Sequence, residues 1–247
     1  MGLPGFSLVL AELPRLIKDF CPDLLIVNAE NAAQSGQGVS FEQVTALRNA
    51  GADVITTGNH VWESETLEKV LSEDRVLRPD NYSPRLPGKG WCLVEGPRTT
   101  AGVINLQGRL RMTALDDPFS RAEILVDQLK SKTPLLFVDF HAEAPDEKES
   151  MGYWLDGRGT AVMGTHTHVA TTDLRILPLG TAFQTDLGMC GPTLSVIGGD
   201  AAVSVDRALT LIPHRNLPAA GAASLNGAFV VADGQTGRAL RVERIGS

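Results

Sequence analysis

The 247-residue sequence is 43% hydrophobic with a formal net charge of −7, which fits one sizeable α/β domain spanning residues 1–247. The acidic balance argues against a protein that coats nucleic acid nonspecifically, yet leaves a phosphate ester open as substrate where bound metal supplies positive charge. Cys21, Cys92 and Cys190 are scattered and form no CxxC pair, which fits a reducing, cytoplasmic setting; neither a membrane span nor a leader peptide is expected.

Residues 1–5 read as a loop. Helical periodicity then runs from Phe6 to Phe20 through Leu10, Leu13, Leu16 and Ile17, despite Pro14. An α/β domain commonly opens with a strand, and this chain reads as starting after one. Residues 23–28 form a nearly continuous apolar run, as in a central parallel strand. That run leads into Ala29-Glu30-Asn31-Ala32. Ser40 is placed to cap a helix over 41–50, ended by Gly51. Residues 53–57 read as the next strand, leading into Gly58-Asn59-His60. A helix is expected over 64–71, with Glu65 and Lys69 at i,i+4 spacing.

Residues 75–90 read as a long surface connection. Two strands, 91–95 and 101–106, flank a turn at Gly96-Pro97. A helix over 118–130 starts on proline. A strand over 135–140 runs into His141-Ala142-Glu143, and an acidic-start helix covers 146–155. The short strand 161–163 ends in Gly164-Thr165-His166-Thr167-His168. Segments 174–177 and 181–185 read as a hairpin, 200–210 as partly helical, and 228–232 with 239–245 as a terminal hairpin.

Polar clusters therefore follow four strands: Glu30-Asn31, Asn59-His60, His141 and His166/His168. Ligands of open α/β sheets gather at the carboxyl ends of the strands. Four of the five histidines fall there, and only His214 does not. Each cluster alone has a plain structural reading, as a turn residue, a cap, a packed histidine or a solvated loop. Their coincidence at one sheet edge points to a mixed nitrogen and oxygen donor set, suited to Mn, Fe, Zn or Ni. Five or more donors suggest two metals bridged by Glu30, the clamp used in phosphoester hydrolysis, with a hydroxide nucleophile. In extended backbone, side chains two apart share a side and adjacent ones alternate. On that basis His166 and His168 point the same way, and His60 faces the substrate as a general acid rather than joining Asn59 as a ligand.

The ordered motifs Asn28-Ala29-Glu30-Asn31, Gly58-Asn59-His60, Asp139-Phe140-His141-Ala142-Glu143 and Gly164-Thr165-His166-Thr167-His168 resemble the calcineurin-like metallophosphoesterases. Within them the closest likeness is to the YmdB-like bacterial branch of 2′,3′-cyclic-nucleotide phosphodiesterases. The likeness continues through 78–82, 180–186 and Gly191-Pro192, and so covers essentially the whole chain. It implies a four-layer αββα sandwich around two divalent transition-metal ions, Fe or Mn first and Zn or Ni next. Glu30 would bridge the ions. Asn59, His141 and His166 would complete one site and His168 would belong to the other, with His60 the catalytic acid. Asn31, Asp139, Glu143 and Asp186 are candidates for substrate contact or for orienting the ligands. The resemblance further implies a small phosphodiester or nucleotide substrate, with an RNA end as an alternative, and a homo-oligomer.

One departure matters. The family opens with a strand ending in Gly-Asp, whose Asp is a ligand, and its next motif matches Gly2-Leu3-Pro4-Gly5. The Asp would fall just before Met1, so a fold lacking the first strand, weaker binding of the His168-side metal and reduced activity are expected. Two rival readings stand beside the phosphodiesterase. One is a catalytically impaired regulatory or scaffold homologue, which the missing Asp favours and the intact histidine set opposes. The other is a metal-dependent amidohydrolase, which the Gly-Asn-His motif and the strand order oppose. Loops 32–40, 107–117 and 186–200 are expected to select the substrate.

Overall fold

Successive residues of a strand face opposite sides of a sheet, and here the two sides enter different cores. Val54 packs with Leu77, Val94 and Val103, whereas its neighbour Ile55 packs with Leu13, Val44 and Leu47. Likewise Val103 joins the first group, and Ile104 joins Leu125, Leu136 and Phe140. Two sheets therefore stack face to face with a helical layer outside each, the αββα architecture expected. The computed structural model describes residues 2–96, 98–214 and 217–246.

The chain runs α1 (Gly2–Phe20), β1 (Ile26–Asn28), α2 (Phe41–Asn49), β2 (Val54–Thr56), a 3₁₀ helix (Asn59–Glu63), α3 (Leu67–Ser72), β3 (Val76–Leu77), β4 (Trp91–Glu95) and β5 (Thr100–Gln107). It continues through α4 (Pro118–Leu129), β6 (Leu136–His141), α5 (Pro145–Trp154), β7 (Ala161–Thr165), β8 (Arg175–Ile176), β9 (Ala182–Gln184), β10 (Gly191–Pro192) and α6 (Ala201–Thr210). The last strands are β11 (Ala223–Ser224), β12 (Asn226–Ala232) and β13 (Ala239–Gly246). One sheet has the order β1-β2-β3, all parallel; the larger one has the order β4-β5-β6-β7-β9-β8, with a parallel centre from β5 to β9. β12 and β13 form a separate antiparallel hairpin. Strands β1, β2, β6 and β7 are the four that precede the polar clusters, and all belong to parallel pairs.

Local chemistry explains most element boundaries. Ser40 and Gln43 form a reciprocal capping box at the start of α2, and Asp117 and Asp200 cap α4 and α6. Three expectations need correction. Residues 2–5 are the first turn of α1 rather than a loop: Pro4 needs no N–H there, and the Gly2 N–H donates to the Asn31 carbonyl at 2.8 Å. Residues 75–90 are not merely a surface connection. They include the buried strand β3, and the buried Arg78 guanidinium donates to the carbonyls of Pro79 and Pro87. The helix expected from Ser64 begins only at Leu67, because the Ser64 hydroxyl donates to the Val39 carbonyl and Thr66 Oγ1 accepts from the Phe41 N–H. Pro97, half of the turn expected at Gly96-Pro97, lies outside the described residues.

β1 is an end strand of its sheet, and its residues line a cleft of about 980 Å³ that β12 also lines and that reaches Glu30, His141, His166 and His168. α1 packs beside it against β10 and β11. A Cβ at Gly5 would overlap the Cys190 carbonyl oxygen. Gly5→Ala is therefore expected to cost about 1–3 kcal/mol of stability through overpacking, read as a lowered denaturant midpoint at unchanged slope; an unchanged midpoint would show that α1 shifts freely.

Candidate metal centre

His141 is the last residue of β6 and its ring is 1% exposed. Its Nδ1 lies 2.9 Å from Thr165 Oγ1, and that hydroxyl donates to Asp139 Oδ1 at 2.7 Å. Asp139 Oδ2 accepts from Asn28 Nδ2 and from the Thr56 hydroxyl. Burial nevertheless pushes the Asp139 carboxyl above its usual value, with those bonds opposing. Because the single Thr165 proton goes to Asp139, Thr165 Oγ1 accepts from His141 Nδ1–H. The neutral ring therefore keeps its lone pair on Nε2.

What faces that lone pair decides what the site can hold. Glu30 Oε2, Asn59 Oδ1 and His166 Nδ1 each lie 3.0 Å from His141 Nε2. Asn59 reaches it because Gly58 has no side chain: a Cβ there would clash with the His141 ring at its Nε2. The other nitrogen of His166, Nε2, is 3.2 Å from Glu143 Oε2, which fixes its proton on Nε2 and leaves Nδ1 as an acceptor. Four electron-pair donors thus converge with no hydrogen among them in these tautomers. Such a knot requires a proton or a cation inside it. Among the described residues, Glu30, His141 and His166 bring ligand atoms within 4.8 Å of one another. The donor chemistry therefore fits a divalent ion.

A smaller pair of acceptors lies nearby. The Ile197 carbonyl accepts from His168 Nδ1 at 2.9 Å, which leaves Nε2 as the acceptor, 3.2 Å from Asn31 Oδ1. Asn31 is oriented by its amide, which donates to the Gly36 carbonyl. His60 stays outside the knot. Its backbone N–H donates to Glu30 Oε1 at 2.9 Å, and its ring, 26% exposed, holds Nδ1 2.8 Å from Glu63 Oε1. Asp186 directs its carboxylate elsewhere. It accepts from Thr167 and Gly188 and pairs with Lys148.

Without a cation, the same cluster strengthens the hold of His141 on a proton. Burial disfavours charge on His141, but the Glu30 carboxylate outweighs it and the His141 pKa is raised. Burial likewise opposes ionised Glu30, but the charge and hydrogen bond of His141 bring its carboxyl down to about 2. Burial, then the His141 charge, push His166 down to about 4. His168 is also lowered, chiefly by burial.

Two backbone assumptions made from the sequence are corrected here. His166 and His168 have φ of 104° and 67°, left-handed rather than extended, so alternation does not set their directions: His166 turns to His141 and His168 to Asn31. Asn59 and His60 open the 3₁₀ helix, so rotation of about 120° per residue separates them, not strand alternation. Sequence reasoning missed Thr165, Asn28, Thr56 and Lys148. Thr165 and Asn28 sit inside the motifs, and that proximity was the available signal; Lys148 had none.

The profile of the family described as YmdB-like protein matches residues 1–245. The chain belongs to the YmdB-like family. It is 42% identical over 246 residues to the 2′,3′-cyclic-nucleotide 2′-phosphodiesterase of Bacillus subtilis, covering 99% of this chain and 93% of that protein. A solved structure of a hypothetical protein from Thermus thermophilus superposes with a TM-score of 0.93 at 38% identity, covering all of this chain and 95% of the other. A phosphatase structure from Mycoplasma pneumoniae gives a TM-score of 0.93 at 34% identity, covering all of this chain and 90% of that one. The phosphoesterase fold is thereby shared along the full chain.

The protonation pattern carries a sign. Metal must displace the His141 proton, and Glu30 tightens the hold on that proton, so Mn²⁺ affinity is expected to rise with pH and to keep rising above about 6.5, the ordinary imidazole value. Titration calorimetry at several pH values, in buffers of differing ionisation enthalpy, should show proton release on binding. An affinity flat across that range would contradict the donor set.

Proposed function

We propose that this protein is a divalent-metal-dependent phosphodiesterase acting on a small phosphodiester, with 2′,3′-cyclic nucleotides as the first candidates and an RNA end as an alternative. The observation that carries this reading is the convergence of Glu30, Asn59 and His166 on His141 Nε2 with no hydrogen between them. The identity to the B. subtilis phosphodiesterase supports the reaction class.

In this reading Glu30, Asn59, His141 and His166 hold one ion. Glu30 would also serve a second ion together with His168, whose Nε2 lies 3.2 Å from Asn31 Oδ1. Mixed imidazole and carboxylate donors suit Fe, Mn, Zn or Ni, and the family resemblance puts Fe or Mn first. Bound there, divalent ions supply positive charge against the phosphate oxygens and lower the pKa of water.

The chain's own residues do the rest. Glu30 fixes the His60 backbone through its second oxygen, which places the His60 ring at the rim. Glu63 accepts from Nδ1 of that ring, so a proton on Nε2 is free to pass to the departing oxygen, the role of a general acid. Asp139, through Thr165, keeps His141 in the ligating tautomer, and Glu143 does the same for His166.

We also place the protein in the cytoplasm as a homo-oligomer. α6 has no buried residue and exposes Val205 and Leu209, with Leu211 just beyond, which supports a self-contact there. Sedimentation velocity should give a mass above one chain that Leu209→Glu lowers; a monomer would reject the oligomer.

Elemental analysis of the purified protein should give at least one transition-metal ion per chain, held by the Glu30, His141 and His166 group, and fewer than one would overturn the metal reading. Glu30→Gln should lose more 2′,3′-cAMP hydrolysis than the about 10–100-fold that outlying partners of a ligand are worth. His60→Ala should lose about 10²–10⁴-fold while keeping its metal. A Glu30→Gln protein with full hydrolysis would reject the reading.

A further inference from the structure

Beneath the His166-Thr167-His168 turn lies a buried charge that the proposed chemistry does not use. Lys148 on α5 is 1% exposed, and its Nζ is 2.6 Å from Oδ2 of the equally buried Asp186. The neighbouring Met151 of α5 serves the outer core with Leu125 and Phe140. An ion pair in such a place costs desolvation that an apolar pair would not. A packing role alone does not account for it.

The remaining bonds of Asp186 show where that cost is used. Its Oδ2 also accepts from the Thr167 N–H at 3.0 Å and from the Thr167 hydroxyl at 2.8 Å, and Oδ1 accepts from the Gly188 N–H at 2.8 Å. Thr167 stands between His166 and His168, the two left-handed residues of the turn. Backbone of that kind in residues other than glycine persists only where its surroundings over-determine it. Gly164 lets the clamp close: a Cβ there would overlap the Thr185 carbonyl and press on Lys148 Cδ. The Leu187 N–H then donates to the Gly164 carbonyl at 2.9 Å, tying the 186–188 segment to β7.

We propose that the Lys148–Asp186 pair is the positioning element of the centre, holding His166 and His168 in the left-handed turn that aims Nδ1 of one and Nε2 of the other at the metal ions. This rests on the metal-dependent reading above. Removing Lys148 leaves an uncompensated buried carboxylate, which draws water or other donors and loosens its hold on Thr167.

The test is titration of the apoprotein with Co²⁺, followed by its visible absorption, in the wild type, Lys148→Met, Thr167→Ala and Thr167→Ser. In a folded Lys148→Met protein, checked by circular dichroism, Co²⁺ binding is expected to weaken about 10–100-fold with an altered band shape. Thr167→Ala, a half-buried change that spares the core, should weaken binding several-fold, and Thr167→Ser should restore it. A folded Lys148→Met protein with wild-type affinity and band shape overturns the proposal, even if its melting temperature falls. Should Lys148→Met not fold, Thr167→Ala decides: unchanged affinity and band shape overturn the proposal, and weakening relieved by Thr167→Ser supports it. Wild-type protein that binds no Co²⁺ overturns this proposal and the metal reading together, whereas normal wild-type binding with unaffected variants overturns the positioning role alone.

Discussion

Three electron-pair donors meet a fourth, the Nε2 of a buried histidine, and much of the molecule is arranged to make that arrangement tolerable. Glu30, Asn59 and His166 come from different elements and lie 3.0 Å from His141 Nε2. Left alone, acceptors facing acceptors in a buried place are costly. The protein holds them by fixing each donor's other end: Thr165 and Asp139 behind His141, Glu143 behind His166, and the His60 N–H behind Glu30. Divalent cations of the kind that would satisfy such a knot are also the kind that act on phosphate esters, so structural requirement and proposed function coincide.

The layering of the fold makes this meeting point. Parallel strands end on the same side, so the polar residues after β1, β2, β6 and β7 arrive along one edge. The face-to-face stacking of the sheets joins the two halves of the site. Asp139 of β6 accepts from Asn28 of β1 and Thr56 of β2, so the carboxylate that orients His141 also links the sheets. Below that polar seam, Val54, Leu77, Val94 and Val103 close the interface with apolar contacts. The same packing fixes the sheets and the directions of the candidate donors, and one carboxylate serves both.

The site also stores cost in two forms, buried charge and left-handed backbone, and the two are joined. Asp186 spends its carboxylate on Thr167, Gly188 and Lys148 rather than on the candidate donors, so it carries the bonds that bracket Thr167, and Lys148 balances it from the helix outside the sheet. The constraint thus runs from α5 through β7 to the imidazoles. A helix that looks like ordinary cover for the sheet has a part in the geometry of the edge.

The spacing and types of residues determined the order of strands and helices, the clustering of four histidines at strand ends, and the identity of the candidate donors. These are local properties: apolar runs mark strands, and polar residues just beyond them mark the sheet's carboxyl edge whatever the details of packing. The tertiary structure alone decided how the donors meet. Glu30 and His141 are far apart in the chain, and no periodicity fixes a 3.0 Å approach between them. The directions of His166 and His168 follow from left-handed backbone that their sequence does not announce, and the 3₁₀ helix at Asn59 overrides the alternation that a strand would impose. Gly2-Leu3-Pro4-Gly5 reads as a loop until the Gly2 N–H finds the Asn31 carbonyl. Lys148 is indistinguishable in sequence from a solvated helix lysine, because burial of a charge is set by the distant partner that makes it tolerable, and Asp186 becomes that partner only when α5 folds onto the sheet.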